Sequence, residues 1–134
     1  MKITRRTDYA IHLIADLAKN SGKSMGLRTL AEQHDVTYAF ARTVQKGLLK
    51  AGIIKTTRGI NGGITLVKEL EDISLLEVFE AAQEPLGFTF GADKNSWCSC
   101  EGDCITSDAW DSTKKVLKDH FSKITMIQII GQDK

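Results

Sequence analysis

The amino-acid sequence predicts a mainly α fold, a winged helix-turn-helix with a small β-hairpin wing and a long C-terminal dimerisation helix. Three observations predict it. Apolar residues recur at helical spacing in several segments, two short β-branched runs flank a glycine-containing turn, and positive charge is concentrated in the first half of the chain. With 134 residues, the chain is long enough for one domain with a core of its own.

The first helix is predicted from the stretch TDYAIHLIADLAKNSG. Its apolar positions between residues 10 and 18 recur at helical spacing, and residues 20–22 end it. Asp8, His12 and Asp16 lie at i, i+4 and i+8, so they form a polar ridge on another face. Such a ridge is a solvated surface unless other residues give it a role.

The next segment predicts two helices joined by a tight turn. A short helix covers Leu27 to His34, and a longer helix begins after Thr37 as its N-cap, buries apolar positions between residues 40 and 51, and ends at Gly52 in a left-handed cap. This is the helix-turn-helix arrangement, in which the second helix enters the major groove of DNA.

A basic hairpin follows the second helix. The runs IIKTT and GITLV are joined by RGING, and a hairpin at this place is typical of a wing that reaches phosphates or the minor groove. Arg42 is the predicted base contact, whereas Lys46 and Lys55 are predicted to contact phosphate. The full set of predicted DNA-binding residues is Thr37, Tyr38, Arg42, Lys46, Lys55, Arg58 and Asn61.

The formal net charge of +1 conceals an uneven distribution. Residues 1–68 carry 12 lysines and arginines against 4 aspartates and glutamates, a formal +8, whereas residues 69–134 carry 6 against 13, a formal −7. A basic first half indicates a polyanionic partner, and an acidic second half argues against a chain that coats nucleic acid throughout. We therefore assign residues 1–68 to a winged helix-turn-helix DNA-binding module, and residues 69–134 to a helix, a cysteine-bearing sensor loop and the dimerisation helix.

The acidic half begins with a helix at Ser74, where Glu77 completes a capping box. After Pro85 comes a segment with little periodicity, LGFTFGADKNSWCSCEGDC, which predicts a loop. A long helix is then predicted over roughly Ser107 to Ser122. Its apolar stripe, which includes Ala109, Trp110, Val116, Leu117, Phe121 and Ile124, is more than a small module can cover, so we expect a homodimer that reads two half-sites.

All three cysteines of the chain, Cys98, Cys100 and Cys104, lie in the stretch WCSCEGDC. The N-terminus lacks the apolar core of a signal peptide and no window approaches 18 apolar residues, so we expect a cytoplasmic protein with no membrane partner. Reducing conditions there disfavour structural disulfides, which favours metal binding or redox sensing. Nothing resembles a catalytic triad, a phosphate loop or paired catalytic carboxylates, so an enzyme is not expected.

Five stretches together carry a family resemblance: TDYAIHL, LAEQHDVTYAFARTVQKGLLKAGII, RGINGGITL, ISLLEVFEA, and the cysteine loop leading into CITSDAWDSTKKVLKDHFSKIT. The chain resembles the IscR and NsrR type of winged-helix transcription regulators, the Rrf2 family. The resemblance implies a homodimer that binds palindromic promoter DNA. It also implies an iron–sulfur cluster, held in the cysteine loop, that sets the affinity for double-stranded DNA.

The cysteine spacing departs from that of the family, whose members typically use three cysteines separated by five residues each. Cys98 and Cys104 keep one such gap, but Ala92 occupies the first expected position and Cys100 is additional. In some family members the fourth ligand comes from the first helix of the other subunit, which makes Asp8 and His12 candidate ligands. A four-iron cluster is favoured over a two-iron cluster.

Several alternatives stay open for the thiols. Thiolates also suit structural zinc, the cysteines could serve a cluster-free regulator of the same fold as thiol redox sensors, or they could be inert. An iron–sulfur electron-transfer protein is an alternative of a different class. The sequence does not distinguish redox, nitric oxide and iron or cluster status as the sensed signal.

Overall fold

The computed structural model describes residues 3–20, 23–60, 62–82 and 106–131. Within these ranges the fold is mostly helical with one two-stranded sheet. The elements in chain order are α1 (Arg5–Lys19), α2 (Leu27–Gln33), α3 (Tyr38–Lys50), β1 (Ile54–Thr57), β2 (Gly63–Leu66), a 3₁₀ turn (Leu70–Asp72), α4 (Leu75–Ala81), α5 (Ser107–Lys123) and α6 (Met126–Ile130).

The predicted winged helix-turn-helix is confirmed. The turn between α2 and α3 contains Asp35 with a φ of 52°, a left-handed conformation that aspartate tolerates. Thr37 caps α3, because its hydroxyl oxygen accepts a hydrogen bond of 3.2 Å from the N–H of Phe40. Gly52, with a φ of 74°, follows the end of the helix as predicted.

The hairpin is antiparallel, with Ile54 opposite Leu66 and Thr57 opposite Gly63. Met25, just before α2, pairs with Ile64 through two backbone hydrogen bonds of 3.1 and 2.8 Å. The strand β2 is therefore tied to the segment that leads into α2, and the hairpin is tied to α3 because the Ile53 N–H donates to the Leu48 carbonyl at 3.1 Å.

One continuous core joins α1, α2, α3, the hairpin and α4. Its fully buried side chains include Leu13, Ile14, Leu30, Leu48, Ile53, Ile64, Ile73, Val78 and Met126. Burial of these aliphatic side chains stabilises the fold by roughly 1.5–3 kcal/mol each before chain entropy is subtracted. The face of α1 opposite its polar ridge is thus the core face.

The second half begins as the sequence predicts. Ser74 caps α4, and Glu77 closes the capping box: its carboxylate accepts from the Ser74 N–H at 2.8 Å, while the Ser74 hydroxyl accepts from the Glu77 N–H at 3.1 Å. Burial raises the pKa of Glu77, but the hydrogen bonds from Lys68 and Ser74 outweigh it, and the pKa is lowered from 4.5.

The long C-terminal helix is also present, and it is followed by an element that the sequence analysis did not predict. Helix α5 ends at Lys123, so Ile124 lies beyond the helix rather than on its stripe. The short helix α6 then returns the chain to the start of α4, where the Met126 N–H donates to the carbonyl of Ile73 at 2.8 Å and the Met126 side chain is fully buried.

Helix α5 contacts α4 through Phe121, whose ring centroid lies 5.2 Å from that of Phe79. Other apolar side chains of α5 face solvent: Trp110 is 38% exposed and Val116 is 65% exposed. Across the described ranges, no helix is long and apolar enough to cross a membrane.

Candidate nucleic-acid interface

The exposed side of α3 carries three of the residues predicted to bind DNA. Tyr38, Arg42 and Lys46 lie at i, i+4 and i+8, and all three are exposed. The sequence has no aspartate or glutamate between residues 36 and 68. The outer face of α3 is consequently a positively charged ridge of a width that the major groove admits.

Two arginines that the sequence analysis missed flank the beginning of α3. The Arg28 guanidinium of α2 lies 5.1 Å from the centre of the Tyr38 ring, and that of Arg5 of α1 lies 5.7 Å from the Phe40 ring. Both distances suit cation–π contacts. These contacts between arginines and aromatic rings form because α1 and α2 pack against the start of α3, so no local sequence pattern predicts them.

On the hairpin, Lys55 and Arg58 are exposed. Lys55 also lines a cavity of about 560 Å³, together with Lys23 and Lys68, on the outer face of the sheet. Arg58 precedes the tip of the wing. Asn61, the remaining residue predicted for the wing, lies outside the described residues.

The polar ridge of α1 contains the two candidate cluster ligands of the first helix. The Asp8 carboxylate and the His12 Nε2 are 3.6 Å apart, and their side chains are 70% and 54% exposed. One α1 surface therefore offers a carboxylate oxygen and an imidazole nitrogen to a molecule outside this chain. These donors suit iron and zinc as a partial ligand set.

The same ridge brings in His34, the residue that follows α2. Its ring is partly buried, its Nε2 lies 2.5 Å from Asp16, and its centroid is 5.2 Å from that of His12. His120, by contrast, is exposed on α5. The contact between His34 and Asp16 arises because α2 crosses α1 and brings together residues that are 18 positions apart in the sequence.

Tyr9 lies directly beneath this ridge and connects it to α3. Its ring packs against His34 and Phe40, with centroids 5.9 and 5.7 Å apart. Burial and the nearby Asp16 charge raise the pKa of Tyr9 to about 12. Its buried hydroxyl has no hydrogen-bond partner among the residues that the structure describes.

The predicted metal ligands Cys98, Cys100 and Cys104 lie outside the described residues. Within the described ranges, no group of three or more histidine, cysteine, aspartate or glutamate side chains is arranged to hold a metal ion. The predicted cluster site would therefore need thiolates from WCSCEGDC together with Asp8 or His12.

The fold and its cationic face define a winged-helix DNA-binding protein. The family described as "Rrf2: Iron-dependent Transcriptional regulator" matches residues 3–132, and the chain belongs to that family. The chain is 26% identical over 136 aligned residues to the HTH-type transcriptional regulator IscR of Vibrio vulnificus, a match that covers 99% of this chain and 79% of the relative. It is therefore a transcription regulator rather than an enzyme.

Solved structures share the fold. T. potens IscR superimposes with a TM-score of 0.74 at 22% identity, covering 100% of this chain and 89% of that one. CymR, described as the global cysteine regulator of B. subtilis, gives a TM-score of 0.76 at 18% identity, covering 100% and 99%. The architecture described above is that of these regulators.

Proposed function

We propose that this protein is a cytoplasmic homodimer that binds palindromic promoter DNA, with an affinity controlled by an iron–sulfur cluster. Helix α3 and the wing contact the DNA, and Cys98, Cys100 and Cys104 supply thiolate ligands. The observation that carries the DNA-binding part is the exposed face of α3, which bears Arg42 and Lys46 in a stretch without carboxylates.

Dimerisation through α5 is supported by its exposed apolar side chains. In the single chain Val116 is 65% exposed and Trp110 is 38% exposed, and Phe121 packs on Phe79 of α4. An isologous contact between two α5 helices would bury them and would set two α3 helices at a fixed separation, which a palindromic operator requires.

The cluster-binding part rests on the exposed Asp8–His12 pair. In a dimer, the partner subunit's Asp8 or His12 would join the thiolates of one chain, and the bound cluster would add redox-sensitive iron–ligand bonds. One donor suffices if all three cysteines bind, which suits a four-iron cluster. Both are needed if only Cys98 and Cys104 bind, which suits a two-iron cluster.

A contact path leads from the proposed ligands to the DNA-binding helix. Asp8 is followed by Tyr9, whose ring packs on Phe40 in the first turn of α3. The guanidinium of Arg5, one turn earlier on α1, lies over the ring of Phe40. A ligand bond that holds α1 toward the partner would thus shift the start of α3, which couples cluster status to DNA affinity.

A second contact joins the end of α4 to α3. A Cβ atom on Gly47 would lie 1.9 Å from the Ala81 carbonyl oxygen, so only glycine permits this approach of α4 to α3. Ala81 ends α4, directly before the residues that lead to the cysteines. Redox or nitric oxide reactions at the cluster, or a change in iron supply, would act on α3 from this side as well.

A second candidate is a cluster-free regulator that uses the cysteines as thiol redox sensors. The cysteine pattern favours it, since Ala92 occupies one expected cysteine position and Cys100 is an additional thiol only two positions from Cys98. In this case oxidation of thiols alone would change DNA affinity.

The test begins with anaerobic purification, followed by the visible spectrum and the iron and sulfide content. Selection from a random-sequence duplex pool then identifies the operator, and binding is measured with and without cluster. We expect charge-transfer bands, an enriched inverted repeat and about a tenfold or larger change in affinity, which is within the range of allosteric coupling. Absent bands with a thiol-dependent affinity would support the second candidate, and bands without sequence-selective binding would indicate an electron carrier.

A further inference from the structure

The tip of the wing presents an apolar side chain to solvent. Ile60 is completely exposed, with a relative accessibility of 104%, and it is the most exposed large apolar residue within the described ranges. It lies between the positively charged Arg58 and the start of β2. A single exposed aliphatic residue is ordinary on a protein surface, so its meaning depends on how it is held.

Backbone constraints lie on both sides of Ile60. The Gly62 N–H donates to the Gly59 carbonyl at 3.0 Å. Gly59 has a φ of 112°, and a Cβ atom on Gly62 would lie 2.2 Å from the Thr57 carbonyl oxygen. The glycines beside Ile60 thus shape the backbone from which its side chain projects.

The surroundings of Ile60 identify the kind of partner it fits. Residues 36–68 carry six lysines and arginines and no carboxylate, so the wing is attracted to a polyanion. One aliphatic side chain buries far too little area for a protein interface, which needs roughly 800 Å² on each side. The minor groove of DNA, in contrast, offers apolar sugar walls and base faces within a polyanionic frame.

We infer that Ile60 is an apolar wedge that enters the minor groove beside each half-site and partly unstacks a base step. Isoleucine is among the side chains that act in this way in other minor-groove proteins. Pyrimidine–purine steps such as TA are the most easily unstacked, whereas A-tracts are stiff. The wing would then select operators by the flexibility of their flanks, without hydrogen bonds to bases.

This inference rests on the proposed DNA binding, and it concerns the flank rather than the half-site read by α3. Removing the wedge should weaken binding to a flexible flank and leave a stiff flank almost unaffected. The salt dependence should stay the same, because no charge is removed.

The experiment compares Ile60→Ala with Ile60→Leu, which keeps an apolar side chain of similar size. Val67→Ala is the matched control, since Val67 is also an exposed β-branched residue beside the hairpin. Each variant is titrated against the selected operator carrying either a TA step or an AA step in the flank, with 2-aminopurine at that step to report unstacking.

For the TA flank we expect Ile60→Ala to bind about tenfold more weakly than the parent, with a smaller fluorescence increase, because a wedge compensates for the cost of unstacking. Ile60→Leu and Val67→Ala should match the parent. Equal affinity and fluorescence for Ile60→Ala and the parent would overturn the inference, and so would an equal loss on both flanks. If the parent itself shows no sequence-selective binding, the proposed function fails instead, so the two failures are distinguishable.

Discussion

At the scale of single residues, the most unusual environment is that of Tyr9. Its hydroxyl is buried between α1, α2 and α3 without a described hydrogen-bond partner, while its ring packs on His34 and Phe40. An unsatisfied buried hydroxyl costs roughly 1–3 kcal/mol. Its presence means that ring packing at this position outweighs the cost of the hydroxyl.

Tyr9→Phe should therefore raise the free energy of unfolding by about 1 kcal/mol, since the ring is kept and the unpaired hydroxyl is removed. Urea unfolding of both proteins at neutral pH measures the difference. Phe40→Leu serves as the control, because it removes a ring contact and should destabilise. A clear loss of stability in Tyr9→Phe would mean that the hydroxyl has a partner after all.

The predicted DNA-binding residues also differ in the part of the DNA that each contacts. Arg42→Ala should cost about 1–3 kcal/mol in binding and relax specificity at one base pair, because an arginine in the major groove contacts a particular base. Lys46→Ala should weaken binding to all sequences and reduce the salt slope by about 1. Titrations on the operator and its single-base variants, at several salt concentrations, distinguish the two roles. Unchanged operator binding by Arg42→Ala would show that the predicted register of α3 is wrong.

At the scale of elements, the features predicted correctly from the sequence were those that depend on residues a few positions apart. The caps at Thr37 and Ser74 depend on neighbours three residues away, so they were predicted correctly. The signal for α6 was also local, because Gln128 accepts from the Thr125 N–H at 3.1 Å, yet a run of five residues after a long helix did not stand out. The predicted apolar stripe of α5 instead extended to Ile124.

Contacts between elements could not be predicted in the same way. The His34–Asp16 pair and the Arg28–Tyr38 contact depend on the angles at which α2 crosses α1 and α3. Those angles follow from packing of the whole core, not from any pattern within one helix. For this reason the ridge of Asp8 and His12 was foreseen, but its extension by His34 was not.

The capping box of α4 should make part of the stability depend on pH. Because the pKa of Glu77 is lowered in the folded protein from 4.5, the unfolded chain takes up the proton first as the pH falls. The stabilisation is present above about pH 5 and is lost as the pH falls through the lowered folded value.

Glu77→Gln should cost about 1 kcal/mol at pH 7, a typical magnitude for a helix cap, and should reduce the loss of stability between pH 6 and pH 3. Thermal or urea unfolding at these pH values provides the test. Glu80→Gln is a suitable control, since Glu80 lies on the same helix and is exposed. Identical acid dependence in the Glu77→Gln variant and the parent would contradict the assignment.

Helix α5 is the proposed dimer interface. Trp110→Asp combined with Val116→Asp should yield monomers, because each change would place a carboxylate in the proposed apolar contact between two α5 helices. Phe121 is less suitable for this test, since it also packs on Phe79 within the chain.

Analytical ultracentrifugation measures the result of the α5 substitutions. Lys115→Asp, on a different side of α5, introduces the same residue at an exposed position and should stay dimeric. A Trp110 and Val116 double variant that sediments as a dimer would move the interface elsewhere.

At the scale of the whole molecule, the proposed regulation depends on one geometric relation. One face of helix α1 packs in the core, and its Tyr9 contacts Phe40 at the start of α3. Its Asp8–His12 pair is exposed to solvent. A bond from this pair to the partner's thiolate loop would tie the two DNA-binding modules together. Carboxylate and imidazole ligands exchange more readily than thiolates, which suits a sensor better than a permanent structural site.

Asp8→Ala, His12→Ala and the double variant test this relation through iron content, the visible spectrum and DNA affinity with and without cluster. If all three cysteines bind, one single variant should lose most of the cluster and the other should resemble the parent, since one donor from α1 completes a four-iron site. If only Cys98 and Cys104 bind, both single variants should be defective.

Asp119→Ala is the matched control, because Asp119 is a similarly exposed carboxylate in an i, i+4 pair with Lys123, and it should leave the cluster and the DNA response intact. The double variant should keep its cluster-free DNA affinity, because Asp8 and His12 lie outside the α3 face, but should lose the cluster-dependent change. A double variant with a full, equally stable cluster and an unaltered DNA response would exclude α1 as the source of a ligand, and the thiolate loop would then have to find its remaining donor elsewhere.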